Sequence, residues 1–173
     1  MKRLMFILFV LIQSLDLYSQ KIQDQFYGVK FGDSMSVAYD KFKSKFNINV
    51  SDESIDGYDV DFGGFEWRFF ESHFLKDKFG NIYFSQNYTN KQTAMDRYYV
   101  LKRKLDNKYN KYKSAESDEN NDIYSYYLDD TNLCSLTVTY NESKGGEMFW
   151  YVGLMYTSFY YLDNSSEEHD NEL

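Results

Sequence analysis

Apolar residues recur at two spacings along this chain, and the alternation between them divides it into elements. Ala38, Phe42 and Phe46 fall every fourth position, with Lys41, Lys43 and Lys45 mostly off that face. This predicts an amphipathic helix over 35–46, with Asp33 or Ser34 as its cap. The period then drops to two. Tyr58, Val60 and Phe62 alternate with Asp59 and Asp61, Gly63-Gly64 makes a turn, and Phe65, Trp67 and Phe69 alternate with Glu66 and Arg68. The pattern predicts a hairpin with one apolar face. A third strand is expected after a turn over 76–81, with Ile82, Phe84 and Tyr88 on one side.

A longer helical pattern begins at Thr89 or Asn90. Ala94, Tyr98, Leu101, Leu105, Tyr109 and Tyr112 follow at three- and four-residue spacings. The Asp/Asn/Ser cluster over 114–121 is expected to end the helix as a polar loop. Three further strands fit the remainder. The first is 123–128, closed by the turn Asp129-Asp130-Thr131-Asn132. In the second, Leu136, Val138 and Tyr140 alternate with Ser135, Thr137 and Thr139. Lys144-Gly145-Gly146 turns into the third, where Trp150, Val152, Leu154 and Tyr156 face one way. The order is helix, three strands, longer helix, three strands. The expected fold class is therefore α+β: two helix-plus-three-strand units, with the helices packed on one antiparallel sheet.

The N-terminus has a different character. Met1-Lys2-Arg3 is followed by the apolar run Leu4 to Ile12, and polar residues return at Gln13 and Ser14. A charged lead, a short apolar stretch and a small residue at Ser19 predict an export signal over 1–19, cleaved after Ser19 or Gln20. The apolar run is too short for a stable bilayer span. This leaves a single α+β domain over 20–162 and an acidic tail over 163–173 that is expected to be disordered. The expected address is periplasmic or secreted.

Charge and cysteine content narrow the function classes. The chain carries 27 acidic against 19 basic residues, a net charge of −8. Removing 1–19 makes the balance one charge more negative. An acidic domain repels phosphate backbones, so nucleic acid is not an expected partner. The one cysteine, Cys134, excludes an intrachain disulfide, and the core must come from ordinary packing. With 18 Tyr and 15 Phe, the chain has the large side chains to build one.

Candidate chemistry is sparse. His169 lies in the acidic tail, and His73 on a strand has no partner motif for nucleophilic catalysis. Cys134 among alternating residues reads as a buried structural thiol. Asp59 with Asp61, and Asp129 with Asp130, read as exposed-face and turn carboxylates. Asp118, Asn120 and Asp122 have the alternate spacing of a calcium loop, but Ile123 stands where that loop requires Gly. Asp33-Ser34-Met35 resembles a short bacterial O-glycosylation motif, and helix capping by Ser34 is the simpler role. No catalytic residue, cofactor or metal site is expected. Tyrosine offers broad apolar contact with a polar tip, which suits a binding surface. Trp67, Tyr124, Tyr126, Tyr156 and Tyr160 are the candidate binding residues.

Gly28-Val29-Lys30-Phe31-Gly32-Asp33-Ser34 before a helix, the hairpin residues Gly63-Gly64-Phe65-Glu66-Trp67, and Lys108-Tyr109 near a helix end carry a resemblance over about residues 27–160. The chain resembles the β-lactamase-inhibitor-protein-like fold, shared with small outer-membrane assembly lipoproteins and with exported proteins of gut Bacteroidetes. The chain lacks the lipid-bearing cysteine of the lipoproteins and the disulfides of the inhibitor. The resemblance implies a fold used for binding, without a common active site. The resulting expectation is an exported, non-catalytic domain that binds a protein of the cell envelope, or a glycan, through a sheet face. The alternative is a structural component of an envelope assembly, and a carboxylate-dependent hydrolase ranks third.

Overall fold

The computed structural model describes residues 21–109, 113–119, 122–142 and 148–170. The expected export signal, the Lys144-Gly145-Gly146 turn, Tyr112 and Asn120 lie outside the described residues. Among the described residues, ten strands and three helices follow in chain order. A two-residue hairpin, β1 (Gln25–Phe26) and β2 (Val29–Lys30), leads into α1 (Met35–Lys43). Four strands come next: β3 (Ile48–Val50), β4 (Ser54–Phe62), β5 (Phe65–Leu75) and β6 (Lys78–Tyr88). The long helix α2 (Lys91–Tyr109) precedes four more: β7 (Lys113–Glu119), β8 (Asp122–Leu128), β9 (Asn132–Glu142) and β10 (Met148–Ser158). Helix α3 (Phe159–Asp170) is the last described element.

Strands β3 to β10 form one antiparallel sheet in the order β3-β4-β5-β6-β10-β9-β8-β7. Each meander runs inward to the centre, where β6 pairs with β10. This corrects the α+β expectation of two helix-plus-three-strand units. Helices α1 and α2 are each followed by four strands, strand outweighs helix, and the architecture is sheet-dominated. Besides the small β1–β2 hairpin, the strands absent from the expectation are β3 and β7, the edges of the large sheet. β3 is three residues long, and β7 (KSAESDE) is polar but for Ala115. Short and charged edge strands discourage further pairing, and the same composition reads as loop in a sequence. The segment expected as a disordered tail from Asp163 continues α3 to Asp170.

One face of the sheet holds the core. Ser34 caps α1, its Oγ accepting from the Val37 amide at 3.4 Å, and Ala38 and Phe42 face inward. Phe42 meets Phe70 of β5 at a ring separation of 5.4 Å. Helix α2 lays Ala94, Tyr98, Leu101, Leu105 and Tyr109 on the other half of the same face. There Tyr98 Oη and Ser125 Oγ of β8 lie 2.6 Å apart, both buried. Phe26 of the N-terminal hairpin packs against Phe62, Phe79, Phe84 and Tyr156, and Phe62 stacks on Phe84 at 4.2 Å. Trp150, Val152, Leu154 and Tyr156 pair with Tyr140, Val138, Leu136 and Cys134 on this inner side.

The β4–β5 hairpin departs from simple alternation. Ile55 and Gly57 are buried, and then so is Val60. On the partner strand, Trp67 is buried and then Phe70 and Ser72. Both strands change parity at the same place, where Asp59 adopts φ 52°. The change turns Tyr58 and Phe69 away from the core, so the expectation of one apolar face through both of them is corrected. Tyr58 is 47% exposed and packs on Phe69 at 5.3 Å on the outer side.

Candidate functional site

The outer face of the sheet is left uncovered by α1 and α2. Strand register places its side chains in rows. One row runs Tyr58, Phe69, Ser85, Gly153, Thr137, Tyr124 across β4, β5, β6, β10, β9 and β8. The next runs Asp56, Glu71, Tyr83, Met155, Ser135, Tyr126. In the first row aromatic rings stand on both sides and small or hydroxylated residues occupy the middle, and in the second Tyr83 and Met155 fill the centre. A third row, His73, Asn81, Thr157 and Leu133, lies where α3 packs against the ends of β5, β6 and β10. Asn81 Nδ2 donates to Thr157 Oγ1 at 2.7 Å there, and both residues are buried.

Tyr83 and Tyr151 lie with ring centroids 6.0 Å apart. Burial, then the neighbouring Tyr151 phenol hydrogen-bonded to it, and Glu71, raise the Tyr83 pKa, so its hydroxyl stays protonated. Gly153 lies beneath Tyr83, where a Cβ would lie 2.7 Å from Tyr83 Cε2 and 2.9 Å from Thr137 Oγ1. Tyr124 and Tyr126 stack nearly parallel on β8, 6.1 Å apart. Tyr124 Oη donates to Asp122 Oδ2 at 2.9 Å, and this bond is the main cause that raises its pKa. The face thus presents the protonated phenol of Tyr83 and the hydrogen-bonded phenol of Tyr124 among small hydroxylated residues.

The structure separates the five residues expected to bind. Tyr124 and Tyr126 lie on the outer face. Trp67 and Tyr156 do not: they are 1% and 2% exposed and belong to the core. Trp67 Nε1 donates to the Phe62 carbonyl at 3.1 Å, and the Arg97 guanidinium of α2 lies 5.0 Å from its ring. Tyr160 is 52% exposed but stands on α3 rather than on a strand. Sequence reading missed Tyr83, Tyr151, Tyr58 and Phe69 as outer-face residues. The register across β6 and β10 identifies the first pair, and the parity change at Asp59 identifies the second.

Other candidate chemistry falls into structural roles. Cys134 is fully buried, and burial pushes its thiol up to about 12, with Tyr156 and Lys108 pulling the other way. It is a poor nucleophile in that state. His73 Nε2 lies 3.5 Å from Glu71 Oε2 on the outer face. Asp59 is paired with Arg68 at 2.9 Å. Among the described residues, no group of three His, Cys, Asp or Glu is arranged to hold a metal ion. No helix among them is long and apolar enough to cross a membrane.

A second concavity lies on the helix side of the sheet. The β4–β5 turn, α2 and β10 enclose about 350 Å³, lined by Phe62, Phe65, Leu101, Leu105, Leu154 and Tyr156. Lys104 and Lys108 stand at its margin with Gln23. Comparison of the chain with protein-family models, with curated proteins and with solved structures gave no match.

Proposed function

We propose that this chain is an exported, non-catalytic domain that binds a protein partner in the cell envelope through the outer face of its sheet. The observation that carries the reading is the uneven treatment of the two faces. One face is buried under α1, α2 and the N-terminal hairpin. The other displays Tyr58, Phe69, Tyr83, Tyr124, Tyr126 and Tyr151 with only its lower end against α3. Rings with polar tips, set on a rigid sheet among small hydroxylated residues, give large contact area at low ordering cost. The charged rim of Asp56, Glu71 and Asp122 favours a partner with basic residues around an apolar centre. The apolar run over 4–12 behind two positive charges supports export. The buried thiol of Cys134, raised to about 12 by burial, is not presented as a nucleophile.

Site-specific photocrosslinking in the native host tests this. A benzoylphenylalanine at Tyr126 should capture one protein species. The same probe at Tyr99, 48% exposed on the far side of α2, should not. The same products from both positions, or no product from Tyr126, would overturn the proposal.

A further inference from the structure

The cleft under α2 has a feature that the open face lacks. Its walls are apolar, yet two ammonium groups stand at its mouth one helical turn apart. Lys104 Nζ donates to the Gly63 carbonyl at 3.3 Å and lies 4.2 Å from the Phe65 ring. Lys108 Nζ donates to Gln23 Oε1 at 2.9 Å. Among the described residues, neither is within ion-pair distance of a carboxylate. Lys102 on the same helix is the contrast, paired with Asp106 at 3.0 Å. In a chain with net charge −8, two cations turned towards an apolar hollow and away from abundant carboxylates are a matched set for an anionic head on an apolar body. Partial burial also lowers the Lys108 pKa, the cost of holding a cation in such a place without a counter-charge.

We propose that this cleft binds a free medium-chain fatty carboxylate. The alkyl tail lies between Leu101, Leu105 and Leu154, and the carboxylate accepts from Lys104 and Lys108. Volume sets the chain length. At a water-sized share of ~30 Å³ per group, 350 Å³ holds about a dozen non-hydrogen atoms, the size of decanoate. A two-tailed phospholipid is far larger than the cleft. The tail contributes affinity through apolar burial, and the two charge-assisted hydrogen bonds discriminate carboxylate from alcohol. The site is independent of the open-face reading, because it lies on the opposite side of the sheet.

Amide-resolved NMR titration with decanoate and with decanol tests the proposal. Decanoate should shift the Gly63, Leu101 and Leu105 amides and bind at least about tenfold more tightly than decanol. The K104Q/K108Q double variant should lose that tenfold preference while still binding the alcohol tail. Both positions are exposed, so folding of the variant can be verified by its thermal midpoint, and K104Q alone serves if the double variant is unstable. Decanoate that leaves those three amides unmoved, or that binds wild type and variant equally, would overturn the proposal.

Discussion

The ring of Tyr83 lies directly over Gly153, so that the centre of the open sheet face is filled by a side chain from the neighbouring strand rather than by the residue beneath it. Gly153 here serves close approach rather than an unusual backbone angle. Gly153→Ala would place a methyl group 2.7 Å from Tyr83 Cε2, and either the ring or the strand must move. We expect a loss of about 1–3 kcal/mol in urea denaturation. In a Tyr83→Ala background the same change should cost much less, because the obstructing ring is gone. Equal costs in the two backgrounds would show that Tyr83 is not what excludes a side chain.

Asp59 sustains the parity change in the β4–β5 hairpin with φ 52°, a conformation that Asp tolerates and β-branched residues do not. Asp59→Val should destabilise the fold by about 1–2 kcal/mol. Asp59→Gly should be close to neutral, since relief of strain offsets loss of an exposed ion pair with Arg68. Comparable losses for Val and Gly would instead point to the ion pair.

The carboxylate of Asp129 ties the N-terminal lead to the β8–β9 turn. Its Oδ2 accepts from the Ile22 amide at 2.8 Å, and its Oδ1 accepts from the Thr131 and Asn132 amides, each at 2.8 Å. Partial burial opposes ionisation, but these hydrogen bonds together outweigh it and lower the pKa below 3.8. The carboxyl is thus more acidic folded than unfolded. Its contribution is present above pH 3.8 and is lost as pH falls through the lowered folded value. Asp129→Asn should cost about 1 kcal/mol at pH 7, discounted for partial exposure, and progressively less in acid. A cost that stays constant down to pH 2 would count against a role for the charge.

Cys134 carries the corresponding signature in base. Its thiol is raised from 9.0 to about 12, chiefly by burial. As pH rises above 9, the unfolded chain ionises while the folded one does not, so stability should fall between pH 9 and 12. Buried tyrosines add to this above pH 10, and Cys134→Ala should remove the earliest part of the decline. At pH 8 the native thiol should react slowly with a thiol reagent and rapidly in concentrated urea. Fast labelling of the native protein would contradict the burial.

Local pattern carried much of the fold. The Ser34 cap, the Gly63-Gly64 turn, the inward row Trp150, Val152, Leu154, Tyr156 and the buried stripe of α2 all follow from spacing, because each is set by neighbours a few residues away. The candidate binding face was less legible. Tyr124 and Tyr126 stand on the outer face as chain alternation allows. Trp67 and Tyr156 belong to the core, since an aromatic residue on a strand has the same sequence signature whichever face is covered. Tyr83 and Tyr151 come together only through the pairing of β6 with β10, strands that are adjacent in space and distant in the chain.

The sequence by itself determined where the chain turns, where it coils and which positions within most strands share a side. It also supplied the acidic balance, the lone thiol and the charged apolar lead. The tertiary structure decided which side of the sheet the helices cover, and that choice separates core tyrosines from surface ones. It added polar β7 as an edge, where pairing on one side suffices without an apolar pattern. It also reversed the facing of Tyr58 and Phe69 at Asp59. The first depends on contacts between segments far apart in the chain, the second on pairing with β8 and the third on a local backbone conformation, and hydrophobic period alone encodes none of them.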